Sequence, residues 1–213
     1  MIHHHPADDL LLAYAVGAAD EAVSLIVATH MSYCAVCRAR AAKLESLGGA
    51  LLQELPPVPL NDGALDHVLS RLDQVTPYER PRRPARADGT PEVLRAYIGG
   101  DLAQVRWRSM GPRLSYAPLF KRGKVSARLL RGAPGADSGM HHHDGTEYTV
   151  VLQGGFTDLT GSYGPGDLQM MEDGMSHNVV ADPGEDCINL AVTTGRLKFD
   201  SLIQKIAAPL FGF

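Results

Sequence analysis

Cysteine is scarce: Cys34, Cys37 and Cys187 are the three in 213 residues. A set this sparse, and odd in number, excludes a disulfide framework. A Cys-x2-Cys pair instead suits a reducing compartment, where thiolates stay free for metal. No uninterrupted run of about 18 apolar residues occurs, so no membrane span is expected. Positive charge is not in excess either. Lys and Arg number 20 against 24 Asp and Glu, a net charge of −4. Up to Ala85 the chain carries seven Lys/Arg against ten Asp/Glu, and an acidic first half argues against direct binding to DNA. No charged leader with an apolar core opens the sequence, since Asp8 and Asp9 come early, so the expected location is the cytoplasm.

What is present is enough hydrophobic residue, 45%, for real cores, in a length that allows two small domains. The first pattern of note is His30-x3-Cys34-x2-Cys37. Imidazole and thiolate are donors that zinc prefers, and spacings of four and three put all three on one face if the segment is helical. A fourth ligand has to come from elsewhere.

Helical periodicity surrounds this pattern. Pro6, with Asp8 and Asp9 in the first turn, opens a helix that Gly17 stops. Val23, Ile26, Val27 and His30 form the buried stripe of a second. Ser32 can cap a third, whose face runs Cys34, Cys37, Ala41, Leu44, Leu47 and Leu51 before Pro56 and Pro57 end it. Asn61 can cap a fourth with Leu65, Val68, Leu69 and Leu72 as its stripe. Four short helices make a small core that a metal would staple. His5, at the entrance of helix one, is the best-placed fourth ligand. His3 and His4 are alternatives, and His67 a weaker one.

The run His4-His5-Pro6-Ala7-Asp8-Asp9-Leu10-Leu11-Leu12-Ala13-Tyr14-Ala15-Val16-Gly17, followed by Ala28-Thr29-His30 and the Cys pair, resembles the zinc-binding anti-sigma factors of the ChrR type. The resemblance implies one structural zinc held by His5, His30, Cys34 and Cys37. It also implies a partner, an extracytoplasmic-function (group IV) sigma factor bound about one to one and kept from core RNA polymerase. In that family the inducing condition is oxidative, particularly singlet-oxygen, stress.

Residues 78–92 hold Pro81, Pro84, Pro91 and Gly89 among Arg80, Arg82, Arg83 and Arg86. This composition predicts a semi-rigid exposed linker. Beyond it the pattern turns to short alternating runs bounded by Gly, Pro and Asp. Strands are expected over 102–108, 116–121, 125–130, 147–153, 156–159, 167–171, 177–180 and 187–193, which argues for an antiparallel sandwich or barrel.

On a strand His141 and His143 point the same way. Glu147 begins the next run at an even offset, its face continuing as Thr149, Val151 and Gln153. His142 alternates outward. Gly135, then His141-x-His143-x3-Glu147-x6-Gly154, is similar to the first cupin motif, and Gly166-x5-Glu172-x-Gly174-x2-His177 resembles the second. Glu172 stands where cupins usually have Pro, and Ala181 where they often have Asn. The resemblance implies a metal site of His141, His143, Glu147 and His177. Such donors suit Zn, Mn, Fe or Ni. Cys187 reads as a small buried hydrophobe.

The expected architecture is therefore two-domain, α plus β. A zinc-stapled helical bundle occupies 1–77, the linker 78–92, and an antiparallel cupin barrel 93–198. In the tail, 199–213, Phe199, Leu202, Ile203 and Ile206 read as a short amphipathic helix, with Leu210, Phe211 and Phe213 covering a barrel mouth or a partner surface. The expected function is binding and inhibition of a sigma factor, with the cupin domain needed for response to the signal. The competing expectation is a metal-dependent cupin dioxygenase or isomerase with a helical appendage, for which Tyr148, Gln153 and Glu172 are the candidate helpers.

Overall fold

The computed structural model describes residues 1–72, 74 and 89–199, with the backbone alone at Phe199. The helical tail expected beyond Phe199 and most of the linker lie outside the described residues.

Helix α1 spans Asp8–Ala15, preceded by Ala7 and Pro6 and followed by Gly17 at φ 71, where a side chain would be strained. Helix α2 spans Glu21–Tyr33, and Asp20 caps it through the Val23 N–H at 2.9 Å. Its stripe is as the periodicity predicts: Val23, Ile26, Val27 and His30 are all buried.

Helix α3, Ala35–Gln53, differs from expectation at both ends. Its N-cap is Cys34, with extended backbone, rather than Ser32. Of its expected core face Cys34, Cys37 and Ala41 are buried and Leu44 is half-buried, whereas Leu47 and Leu51 are 59% and 63% exposed. Helix α4, Ala64–Leu72, buries none of its residues. Leu65, Val68, Leu69 and Leu72 all stand exposed. Among the described residues α1, α2 and α3 pack together, but α4 does not close the expected four-helix core. The periodicity of α3 beyond Leu44 and of α4 is real, but it marks an outward apolar face rather than an inward one.

What α2 packs on is the second half of the chain. A helix not anticipated from the prolines around it, α5 at Glu92–Ile98, is capped by Gly99 and packs against α2. Thr90 and Pro91, the end of the expected linker, are buried. A single 3-10 turn, Leu102–Gln104, occupies the place of the first expected strand.

The strands then follow: β1 Arg108–Ser109, β2 Leu114–Arg122, β3 Val125–Gly132, β4 His141–His143, β5 Glu147–Gln153, β6 Phe156–Asp158, β7 Gly161–Tyr163, β8 Leu168–Met171, β9 Val180–Ala181, β10 Cys187–Thr193 and β11 Leu197–Phe199. The six-stranded sheet is ordered β1-β2-β3-β10-β5-β8, all antiparallel, with a three-stranded sheet β7-β6-β9 and the pair β11-β4 beside it. Phe199 therefore ends a strand opposite His141 rather than opening a helix.

Alternation along β5 explains the layering. Val150 and Leu152 join Leu11, Ile26 and Leu94 in one hydrophobic cluster with the helices, and Tyr148 packs against it. Val151 faces the other way, into a smaller cluster with Phe156, Tyr163 and Cys187. The sheet is covered by helices on one side and by the barrel interior on the other, so β5 and β10 are buried almost throughout. Glu21 adds a polar tie at the edge, meeting Arg122 at 2.6 Å and the Tyr97 hydroxyl at 3.1 Å. Among the described residues no helix is long and apolar enough to cross a membrane.

Two candidate metal centres

The first cluster sits where α2 ends and α3 begins. His30 lies in the last turn of α2. Cys34 breaks the helix with φ −100 and ψ 104, and Cys37 follows in the first turn of α3. The three side chains thus converge across a break, not along one helical face. The Cys34 thiol sulfur also accepts the Cys37 N–H at 3.4 Å, so one atom serves as helix cap and candidate ligand.

His5 arrives from the extended entry segment. Its Nδ1 is 3.4 Å from both Cys34 Sγ and Cys37 Sγ. In a tetrahedron with Zn–S near 2.3 Å and Zn–N near 2.0–2.1 Å, the N···S edge is about 3.6 Å. One ligand atom from each of His5, His30, Cys34 and Cys37 lies within 4.8 Å of the others.

His30 donates from Nδ1 to the Gly166 carbonyl at 2.7 Å. This leaves Nε2 as the lone-pair nitrogen, buried and with no hydrogen-bond partner. Burial holds its pKa below the usual histidine value, in the neutral form that ligates. Burial, with Cys34 beside it, pushes the Cys37 thiol up to about 12, so a bound cation is what would make it a thiolate. Among the alternatives, His4 stacks on Tyr163 at 4.2 Å and meets the Ser162 carbonyl at 3.2 Å. His3 and His67 also lie outside the cluster.

The second cluster lies inside the barrel. His141 and His143 project from β4, both buried, with His142 between them on the other side. Glu147 opens β5, and His177 is brought across by a two-way backbone bridge to His141, at 3.0 and 2.9 Å. The strand expected over 177–180 is shorter, so this bridge and not a strand fixes His177. Glu147 Oε2 is 3.0 Å from His143 Nε2 and 3.5 Å from His177 Nε2. All four donors fall within 4.8 Å of one another.

The Nε2 atoms of His143 and His177 are buried and, among the described residues, meet nothing but the Glu147 carboxylate, so imidazole nitrogens and a carboxylate oxygen converge on one point as the donors of a metal would. Burial opposes the charge of Glu147, yet the imidazoles of His143, His177 and His141 hold its carboxyl well below the usual range. Desolvation lowers His141. For His177 burial acts in the same sense but is overcome by the Glu147 and Asp158 carboxylates, which raise it.

Sequence reasoning missed the groups that aim these ligands. The His177 Nδ1–H donates to Asp158 Oδ2 at 3.1 Å. Asp158 in turn accepts from Gln169 Nε2 at 2.6 Å and from the Thr160 hydroxyl and N–H. His141 donates Nδ1–H to the Gly139 carbonyl at 2.8 Å. Such partners fix the tautomer of a ligating histidine. The available signal was one acid, Asp158, closing a short strand run whose other side chains are mostly uncharged.

A cavity of about 110 Å³ opens beside the cluster, lined by Arg128, Thr149, Phe156, Gln169, Cys187 and Asn189 among others. Tyr148, Gln153 and Glu172 do not line it. Tyr148 faces the helices, and Gln153 reaches the Asp186 carbonyl. Burial pushes the Cys187 thiol up to about 12, as befits a packed rather than a reactive cysteine.

One chain thus carries two separate ligand clusters, one on a helical turn and one inside a cupin barrel, and together they define a two-centre cupin protein. Residues 96–198 match the family model of the ChrR cupin-like domain. The anti-sigma-E factor ChrR of Cereibacter sphaeroides is 44% identical over 211 residues, which is 99% of this chain and 98% of that protein. A chain in the crystal structure of Rhodobacter sphaeroides SigE in complex with the anti-sigma ChrR superposes with a TM-score of 0.77 at 44% identity, covering 91% of this chain and all of that one. The chain belongs to the family of ChrR anti-sigma factors.

Proposed function

We propose that this protein binds an extracytoplasmic-function sigma factor and withholds it from RNA polymerase, and that oxidative, particularly singlet-oxygen, stress releases it. The likeness to an anti-sigma factor extends over nearly the whole of both chains. The observation that carries the reading on this molecule is the apolar face of α3 and α4. Leu47, Leu51, Leu65, Val68, Leu69 and Leu72 are all more than half exposed. Large apolar side chains left exposed along a helical stripe mark an interaction site, and an amphipathic helix whose stripe nothing among the described residues covers is the element a partner would engage.

In this reading residues 1–77 are the sigma-binding module, and His5, His30, Cys34 and Cys37 hold a structural zinc with no open position. His141, His143, Glu147 and His177 hold zinc or another divalent ion in the barrel, which tunes the inhibition. The setting is the cytoplasm, with no direct DNA or membrane contact. The test is transcription in vitro, with core polymerase, an extracytoplasmic-function sigma factor of the same organism and its promoter. Full-length protein should abolish the transcript near one-to-one stoichiometry. Undiminished transcription at tenfold excess would overturn the reading.

A further inference from the structure

The helical centre is not built by the helical residues alone. Two of its four candidate donors are aimed by the barrel. His30 owes its orientation to the Gly166 carbonyl. His5 follows a segment that the barrel clamps: Asp167 Oδ1 accepts the N–H of His3 at 2.7 Å and of His4 at 2.9 Å, and the Leu168 N–H donates to the His4 carbonyl at 3.1 Å. Asp167 is 4% exposed, and its second oxygen takes the Gly164 N–H at 2.9 Å. The approach is close. Gly166 has φ 89, and a Cβ there would lie 2.7 Å from Tyr33 Cβ and 2.8 Å from Ile2 Cδ1.

The same stretch continues as β8, whose other end supports the barrel centre. Met171 pairs with Glu147. The Gln169 amide donates to Asp158, the acceptor of His177 Nδ1–H. Four residues of strand, roughly 13 Å at about 3.3 Å per residue, therefore separate the support of one centre from the support of the other.

We propose that residues 164–171 are the mechanical link between the two centres: the 164–167 turn orients His5 and His30, β8 supports Glu147 and His177, and disturbance of the barrel centre reaches the helical centre along this strand as lost orientation of its histidines. The proposal deepens the regulatory reading above and rests on it for its purpose. Asp167 is thus a positioning residue for a metal centre in the other half of the chain. Proximity alone does not demonstrate coupling, whereas a double-mutant cycle does.

The full-length protein, loaded with zinc, is treated with Ellman's reagent, and labelling of Cys34 and Cys37 is followed by peptide mass spectrometry, which reads Cys187 separately. Asp167→Ala should speed labelling of both by about 10- to 100-fold, the usual loss for a ligand's supporting partner. Asp167→Asn, which keeps one carbonyl acceptor, should fall between and decides the matter if the alanine variant does not fold. Emptying the barrel with His141→Ala and His143→Ala should also speed labelling in the otherwise native chain, and add less than twofold to Asp167→Ala. Labelling of the Asp167 variants within twofold of native overturns the proposal. So does a barrel effect that is absent, or that persists undiminished in Asp167→Ala. The assay contains no sigma factor. A native chain that fails to retain sigma factor in a parallel pull-down would count against the anti-sigma reading alone, and sigma retention with flat labelling would count against the link alone.

Discussion

Cys34 does two things with one sulfur: it caps α3 by accepting the Cys37 N–H, and it faces His5 Nδ1. The two roles separate by substitution. Cys34→Ala and Cys34→Ser should both lose the metal of the helical centre, measured by metal analysis. Serine retains a cap worth about 1 kcal/mol, so denaturant unfolding should find it the more stable of the two by about that amount. Asp158 supports a candidate ligand without being one: it accepts the His177 Nδ1–H. Asp158→Ala should therefore weaken barrel metal affinity about 10- to 100-fold in chelator competition. Six of the eight candidate ligands were legible because their spacing is local, four and three around Cys34, two and four around His143; His5 and His177 lie far off in sequence and were singled out by the family resemblance. The residues that aim them were not. Gly166 meets His30 across 136 positions of sequence, and no periodicity reports such a contact.

Among the elements, β5 and β10 have the bounds that alternation and turn signals predict, because each is buried on both faces and bounded by glycine or acid. The helices show where pattern stops being sufficient. An amphipathic stripe says that a face wants cover and is silent on what provides it. In α2 the sheet provides it. In α3 beyond Leu44 and in α4 nothing among the described residues does. The prolines before α5 read as linker, although Pro91 sits at its N-cap, where no intrahelical N–H is needed. The exposed stripe yields a test that burial makes clean. Leu69→Asp removes no buried contact, so stability should change by no more than about 0.5 kcal/mol. If Leu69 is an anchor in the complex, sigma affinity should fall by about 30-fold or more, as at an interface hot spot. Isothermal titration and thermal unfolding of the same preparation read the two quantities.

For the whole molecule the decisive fact is that one hydrophobic cluster contains Leu11 and Ile26 from the helices and Val150 and Leu190 from the barrel. The sequence suggested two bodies joined by an arginine-rich linker, since composition changes sharply there. Packing adds that α1, α2 and α5 share this cluster with the six-stranded sheet, so the helical and barrel halves are expected to unfold together. Far-UV circular dichroism, dominated by helix, and fluorescence of the single tryptophan, Trp107, which packs on this cluster, should therefore report one coincident transition. A chelator should lower both midpoints together. Two separated transitions would mean that the helices and the barrel fold independently.

Helix α4 is nine residues long and buries none of them. A peptide of that length is a marginal helix in water, where about 12 to 15 residues are usually needed. If the proposed partner lies on it, part of the free energy of association is used to hold it helical. Substitutions on its polar side would then tune the strength of binding through helix propensity. Inhibition could in this way drift over generations with the contact surface untouched.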